Sequence, residues 1–419
     1  MAVTVTNLRE RVRRLYGMDE LLPALVGLPR SYVVGGAVRD LLRGARPADL
    51  DLAVEGDAAS AARAVGAALD REVREHGRFG TAVVRDDPDL NFAMTRRETY
   101  AHPGALPEVE EAPLGEDLAR RDFAINAMAI GLTGDDLGHL YDPHDGVVDL
   151  EAGAVRVLHD ASFIDDPTRL LRALRYEARL GFAMEPDTER LAIAAIEGEA
   201  LGTVSGARIG DQLVGRGEAR GAHGGLLGEE RVARAVRRMR GLELDHALHP
   251  ELEADPELVA SAALGAVTIG SDRSLAALAA LCSAAPQELD LWLADLGLPA
   301  PRRDAVSRAA RVGPRLATEL RDRAHTPSEL AALLRREPPE ALALALALQA
   351  PPDDVLRWVG ELRDVRLEIT GDDLTAAGVP EGPRLGRALE GTLALKLDGL
   401  VHTRDEELEH ALRLAGEES

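Results

Sequence analysis

Asp49 and Asp51 stand two residues apart at the head of an apolar run, DLDLAV. On a β-strand alternate side chains share a face, so both carboxylates point the same way. Two hard oxygen ligands on one rigid face suit Mg²⁺, which takes few protein carboxylates and completes its octahedron with water and substrate phosphate. Upstream, Gly35 and Gly36 follow another short apolar run and precede Arg39 and Asp40. Glycines at a strand-to-helix turn let backbone N–H groups approach a phosphate closely, and Arg39 falls one turn into the helix. Residues 32–57, YVVGGAVRDLLRGARPADLDLAVEGD, therefore describe a metal-dependent nucleotide site. A third acid on a neighbouring strand would ordinarily position or deprotonate an attacking hydroxyl. The place expected for it holds Asn91, whose amide cannot serve as a general base.

A second chemical cluster lies in residues 162–182, SFIDDPTRLLRALRYEARLGF. At 100° per residue Leu170, Leu171, Leu174 and Ala178 share one side of a helix, and Arg169, Arg172, Arg175 and Arg179 the opposite side. Asp166 and Arg169, three apart, offer an acceptor and donors together, as reading the Watson–Crick edge of a base requires; a salt bridge followed by a solvated arginine face accounts for them equally. Residues 118–130, LARRDFAINAMAI, read as a helix packing Phe123, Ala124, Ala127 and Met128 inward with Arg121, Asp122 and Asn126 on a polar side. There Arg121 could face a triphosphate and Asn126 a ribose hydroxyl, or Arg121 and Asp122 could form a structural pair.

The elements that must position these groups follow from periodicity. Residues 7–30 read as one amphipathic helix, with Leu8, Val12, Leu15, Leu21 and Leu22 inward. Strands are expected at 33–34, 50–54, 72–75, 81–85 and 90–95, and a helix at 58–69 capped by Asp57. This alternation predicts an α/β or α+β unit on a mixed sheet. Residues 95–117, rich in Pro, Gly and charge, read as a mobile loop whose root residues Arg96, Arg97 and Tyr100 could touch substrate. Residues 141–150, YDPHDGVVDL, read as turns before a short strand at 155–158. His144, Asp145, His159 and Asp160 have turn or cap roles there, since neither pair has partner histidines at metal-ligand spacing. Further helices are expected at 231–240, 256–264, 275–284, 287–296, 302–310 and 327–334.

At 419 residues the chain exceeds one ordinary core, and about two to four domains are expected. Aromatics are only 3% while Ala, Leu, Arg and Gly dominate, which favours a largely helical body with small-residue packing. No run reaches the roughly 18 apolar residues of a membrane span and no N-terminal apolar segment is present, so a cytoplasmic protein without membrane contact is expected. The single cysteine, Cys282, excludes an intrachain disulfide and reads as a buried thiol. A net charge of −23 speaks against nucleic acid at first sight, but Arg231, Arg234, Arg237, Arg238 and Arg240 crowd ten residues and make a local basic strip.

Together the motifs GGAVRD (35–40), DLD (49–51), RRDFAINAMA (120–129), YDPHDGVVDL (141–150) and DDPTRLLRALRYEARLGF (165–182) make the chain resemble the class II tRNA nucleotidyltransferase and poly(A) polymerase family, a branch of the polymerase-β-like nucleotidyltransferases. They occur in the family's order over about residues 32–208. The resemblance implies an α+β fold: a catalytic head at 1–150 with a mixed sheet, a base-recognising helical neck at 151–215, a helical body at 216–345 and a tRNA-binding tail at 346–419. It implies that Asp49 and Asp51 bind two Mg²⁺ ions and that Gly35, Gly36 and Arg39 hold the triphosphate. Arg121 would support the nucleotide, Asp122 and Asn126 would shape the ribose pocket, and Asp166 and Arg169 would template the base with Arg172 and Arg175 nearby. Arg208, in SGARIGDQL at 205–213, takes the basic position of the closing neck motif, although Ala207 stands where an acid usually precedes it. Arg208 and Arg231, Arg234, Arg237 and Arg238 are candidate RNA contacts. Residues 370–397 resemble the family's bacterial tail, where GPRLG at 382–386 could meet RNA phosphate or simply turn between helices.

The implied activity is addition of CCA, from CTP and ATP, to tRNA 3′ ends with release of pyrophosphate. The alternatives are A-adding, CC-adding or poly(A) activity, and a catalytically silent RNA- or nucleotide-binding homologue, which Asn91 motivates. The full-length 95–117 segment speaks against CC-adding, whose members commonly have a shortened loop.

Overall fold

Leu50, Leu52 and Val54 are buried on one side of a strand, and Asp51 is exposed on the other beside buried Ala53. This alternation organises the head. The computed structural model describes residues 8–15, 17–47, 49–76, 81–85, 89–215 and 225–417. A seven-stranded sheet contains β1 (Ser31–Val34), β2 (Leu50–Val54), β3 (Val73–His76), β4 (Thr81–Val84) and β5 (Leu90–Met94). A separate hairpin pairs β6 (Arg96–Thr99) with β7 (Glu108–Glu111), and the large sheet is completed by β8 (Ala129–Gly131) and β9 (Leu140–Tyr141). Its order is β3-β4-β5-β2-β1-β8-β9, and only β2 and β5 run parallel. The mixed sheet is present, and the five strands expected between 33 and 95 are found to within two residues.

The residues before the sheet form two helices, α1 (Arg9–Arg13) and α2 (Met18–Ala24), where one was expected. Gly17 at φ +74° breaks the run and precedes α2. Leu8, Val12 and Leu21 are nevertheless buried as anticipated, while Asn7 lies outside the described residues. After β1 comes α3 (Gly36–Leu42), and after β2 comes α4 (Ala58–Leu69), where the Asp57 carboxylate accepts from Ser60 N at 3.0 Å. These helices cover the sheet face that carries Val33, Leu52, Val54 and Phe92. The other face buries Tyr32, Val34, Ala53 and Ala129 under α5 (Leu114–Ala119).

Residues 95–117 are ordered structure in place of the expected loop. Arg97 and Glu110 face each other across the β6–β7 ladder at hydrogen-bond distance, and opposite charges on paired strands favour this register. Residues 118–130 are not one helix. Helix α5 ends at Ala119, a 3₁₀ turn covers Ala124–Asn126, and β8 begins at Ala129. The Asp122 carboxylate accepts from Phe123 N at 2.8 Å, a local bond that competes with a continuing helix. Phe123, Ala124, Ala127 and Met128 are all fully buried. Part of the expected turn region is helical as α6 (Gly146–Ala152), and β10 (Ala154–Val155) pairs with β11 (Ala183–Met184). Among the described residues no group of three or more His, Cys, Asp or Glu gathers as a metal cluster.

Helices α7 (Ser162–Asp165) and α8 (Thr168–Leu180) are separated at Asp166-Pro167. Next come α9 (Pro186–Glu197), α10 (Gly206–Val214), α11 (Val232–Gly241) and α12 (Leu244–Leu248). All of these belong to the first of two compact units, Met1–Pro250 with Asp295–Gly297. Gly297, at φ +69°, packs on α10 so closely that a Cβ there would sit 2.7 Å from the Ala207 Cβ, so the close approach requires glycine at 297.

The second unit, Glu251–Ala294 with Leu298–Ser419, is helical. Helices α13 (Pro256–Thr268) and α14 (Arg273–Leu281) are followed by α15 (Asp290–Asp295), α16 (Ala300–Asp322), α17 (Pro327–Leu334) and α18 (Pro339–Ala347). Small residues let the helices close up: a Cβ on Gly265 would lie 2.9 Å from Ala343 O, and one on Gly313 2.8 Å from Leu344. Cys282 is fully buried, and burial raises its thiol well above the ordinary value. Beyond α19 (Pro352–Arg357), α20 (Gly371–Ala376), α21 (Pro383–Leu397) and α22 (Arg404–Glu417) share a small core around Leu374 and Ala411. Gly382 caps α21, so GPRLG starts a helix. No helix among the described residues is long and apolar enough to cross a membrane.

Candidate active site

A cavity of about 410 Å³ opens where the β1–α3 turn, the start of β2, the hairpin and α8 converge. Gly35, at φ +68°, makes the turn, and a Cβ on it would lie 2.9 Å from Arg121 Nη1. At Gly36 the added Cβ would be 3.5 Å from Arg39 Nη2. The two glycines thus admit two guanidinium groups against the backbone at the N-terminus of α3.

Arg39 is buried, donating through Nη1 to Asn126 Oδ1 at 2.8 Å and through Nε to Asp40 at 2.9 Å. Asn126 Nδ2 donates to Asp122 Oδ1 at 3.1 Å, and Arg172 Nε to Asp122 Oδ2 at 2.8 Å. Burial pushes the Asp122 carboxyl up, but the Arg172 charge and the Asn126 amide outweigh it and hold the group below the usual carboxylate range. Asp122 and Asn126, expected at a ribose, line the cavity and form a chain that orients Arg39 and Arg172. Tyr176 lies beneath both guanidiniums, 5.4 and 5.7 Å from its ring centre.

Arg121 is held by Asp117 at 2.8 Å, and Asp117 also takes Arg120 Nε at 3.0 Å. Burial raises the Asp117 carboxyl, and the two arginines more than reverse it. Asp49 precedes β2 and Asp51 lies within it, and both line the cavity. In the parallel β2–β5 register Asn91 is the partner of Asp51, and its Nδ2 donates to Asp51 Oδ1 at 3.2 Å. Two carboxylates with an amide beside them are a donor set compatible with Mg²⁺, which completes its shell from water and phosphate oxygen.

Asp166 and Arg169 line the same cavity without pairing through their side chains. Asp166 Oδ1 accepts from Thr168 and from Arg208 Nη2 at 2.8 Å, and Arg169 donates to Ser162 Oγ at 2.6 Å and to Arg120 O at 2.9 Å. Arg208 also donates to Gly104 O at 2.9 Å, so its guanidinium joins α10 to the hairpin and to Asp166. The arginine stripe of α8 is not a solvated face. Arg172, Arg175 and Arg179 all line the cavity, with Arg175 and Arg179 bound by buried Glu229 at 2.8 and 2.7 Å.

The expected basic strip on α11 is divided. Arg234 donates to Phe182 O and Arg238 to Glu177 and Glu189, while Arg231, Arg237 and Arg240 are exposed. Val232, Ala235, Val236 and Met239 are buried between them.

Beyond the residues singled out as candidates, the lining includes Glu98, Tyr100, Arg120, Tyr176 and Arg179, with Ala37, Asp40 and Pro47. Arg179 was legible as the next step of the stripe, and Tyr100 as a loop root. Glu98, which accepts from Tyr100 and Arg120, and Glu229 had no local signal. Burial and then the Glu98 charge push the Tyr100 hydroxyl up to about 12. In all, seven arginines face six carboxylates here, a nearly charge-balanced cavity in a chain of net charge −23, and its guanidinium donors suit a polyphosphate.

Known proteins resemble the chain in sequence and in fold. The family model described as the Poly A polymerase head domain matches residues 31–156. The chain is 36% identical over 409 residues to the A-adding tRNA nucleotidyltransferase of Geobacter sulfurreducens, covering 92% of this chain and 45% of that protein. It is 33% identical to the CC-adding tRNA nucleotidyltransferase of Deinococcus radiodurans, covering 90% of this chain and 87% of the relative. The Thermotoga maritima CCA-adding enzyme complexed with tRNA superposes with a TM-score of 0.69 at 29% identity, covering 92% of this chain and 91% of that one. The chain spans less than half the length of several curated relatives it matches, 45%, 44% and 20% in three cases. Motifs, sheet topology, cavity and relatives converge: the chain belongs to the tRNA nucleotidyltransferase and poly(A) polymerase family.

Proposed function

We propose that this protein transfers nucleotides from nucleoside triphosphates to the 3′ end of tRNA, and that its product ends in A. The observation that carries the reading is the single cavity that brings Asp49 and Asp51, seven arginines, and Asp166 with Arg169 together. Arg39 and Arg121, set against the Gly35-Gly36 turn, donate to the triphosphate. Asp166 offers an acceptor and Arg169 donors to the base edge, each held in place by Arg208, Ser162 and the Arg120 carbonyl. Asp49 and Asp51 would hold Mg²⁺, which when bound makes the RNA 3′-hydroxyl more acidic and offsets charge on the departing pyrophosphate. Asn91 orients the Asp51 carboxylate and takes no proton.

Two nucleotide programmes end in A: CCA from CTP and ATP, as the sequence resemblance implies, and A alone, which the likeness to A-adding relatives favours. The complete β6–β7 hairpin supports both over addition of CC alone. The test offers tRNAs lacking CCA, lacking only the final A, or complete, with CTP and ATP singly and together. CTP-then-ATP extension that stops after A supports CCA addition, and ATP extension confined to tRNA ending in CC supports A addition. A long A tail, or CTP addition that ATP never follows when both are supplied, contradicts both programmes. No incorporation on any tRNA would make the chain a silent nucleotide-binding homologue.

A further inference from the structure

A second groove on the head is lined by Arg11, Arg14 and Arg46 together with Leu15 and Leu41, and no carboxylate lines it among the described residues. In a chain of net charge −23 such a wall is an exception, and acidity elsewhere concentrates a polyanion onto it. Its geometry is built. Arg11 donates to Leu41 O and reaches Leu42 O at 3.5 Å, tying α1 to the C-terminal carbonyls of α3. Arg14, the C-cap residue of α1, follows Arg11 by three residues and lines the same groove, and both Arg14 and Arg46 are exposed.

The groove is also continuous with the active site through the chain. Arg46 lines the groove, while Pro47 and Asp49, on the same α3–β2 connection, line the catalytic cavity. Three residues span at most about 10 Å. A nucleic-acid strand advances roughly 3.4 Å per phosphate along its axis, so one whose 3′ end lies at Asp49 reaches Arg46 within about three nucleotides.

We infer that this groove carries the RNA strand just upstream of the reacting 3′ end, with Arg14 and Arg46 each holding a backbone phosphate. The inference rests on the reading of the cavity as an RNA 3′-end transferase. The test is the double variant Arg14→Ala/Arg46→Ala, whose exposed positions should leave thermal unfolding unchanged. Filter binding of tRNA across salt concentrations and equilibrium dialysis of ATP are compared with wild type. Loss of two phosphate contacts lowers the slope of log affinity against log salt by about 1.4 to 1.8 and weakens tRNA binding roughly tenfold at low salt. ATP affinity stays as in wild type, and Arg14→Lys/Arg46→Lys restores the slope. An unchanged tRNA affinity and slope in a double variant whose wild type extends tRNA overturns the groove alone. A loss of ATP affinity instead overturns it by assigning the groove to the triphosphate. A wild type that neither binds nor extends tRNA overturns both the groove and the functional reading.

Discussion

Asp122 shows how one residue can hold a site together. Its carboxylate is fully occupied by Arg172, Asn126 and the Phe123 N–H, and through Asn126 it reaches Arg39. Because its folded-state value is depressed, it contributes stability at pH above its ordinary 3.8, and this is lost as pH falls through the depressed value. Arg172→Ala removes the charge that outweighs burial, so the carboxyl titrates at higher pH and acid unfolding, followed by circular dichroism, begins at higher pH. The variant should lose about 3 kcal/mol in urea unfolding, because a buried carboxylate is left without its main partner. The types and spacing of Asp49, Asp51, Asp166 and Arg169 were legible, since each sits in a periodic segment. The partners of those residues were not. Asn126 meets Arg39 across 87 positions of sequence and Glu229 meets Arg175 across 54, and such pairings follow only from the packed fold.

At the scale of elements, α8 carries the clearest division of labour. Leu170, Leu171, Leu174 and Ala178 anchor it, and its arginines, aimed inward, are the basic wall of the cavity. Glu229 acts on this wall by gripping Arg175 and Arg179 from outside the cavity lining. Glu229→Gln should therefore raise KM for ATP roughly tenfold with a smaller change in kcat, the loss of charge-assisted bonds that fix binding groups. Steady-state kinetics showing an unchanged KM would contradict this role. Amphipathic helices such as α4 and α8 were readable because one face is apolar. The segment at 118–130 misled because its buried residues satisfy a helical spacing while Asp122 bonds to its own backbone. Helix α18, PEALALALA, escaped notice because alternating Ala and Leu carries no helical period.

For the whole molecule, charge is the organising quantity. The chain is strongly acidic, yet its cavity and the neighbouring groove are rich in arginine, so composition alone points away from the polyanions that these surfaces suit. Lys396, the single lysine, serves structure: its Nζ lies 2.5 Å from the Glu407 carboxylate, which has no exposed surface and also accepts from Glu368 N and Ile369 N. Burial raises the Glu407 carboxyl, and these donors more than reverse it. Its contribution is present above pH 4.5 and fades as pH falls through the lowered value. Glu407→Ala should cost about 3 kcal/mol in urea unfolding of the full chain and leave ATP binding at the head intact.

The most direct test of the central claim is single-turnover transfer from α-labelled ATP to tRNA ending in CC, with wild type and Asp49→Ala measured side by side. The wild type should add one labelled A and stop. The variant should unfold at the same temperature and transfer more than about 10³-fold more slowly, since several kcal/mol of charge stabilisation are lost with the carboxylate. Wild-type protein that adds no A, or an Asp49→Ala protein that adds it at the wild-type rate, would contradict the account.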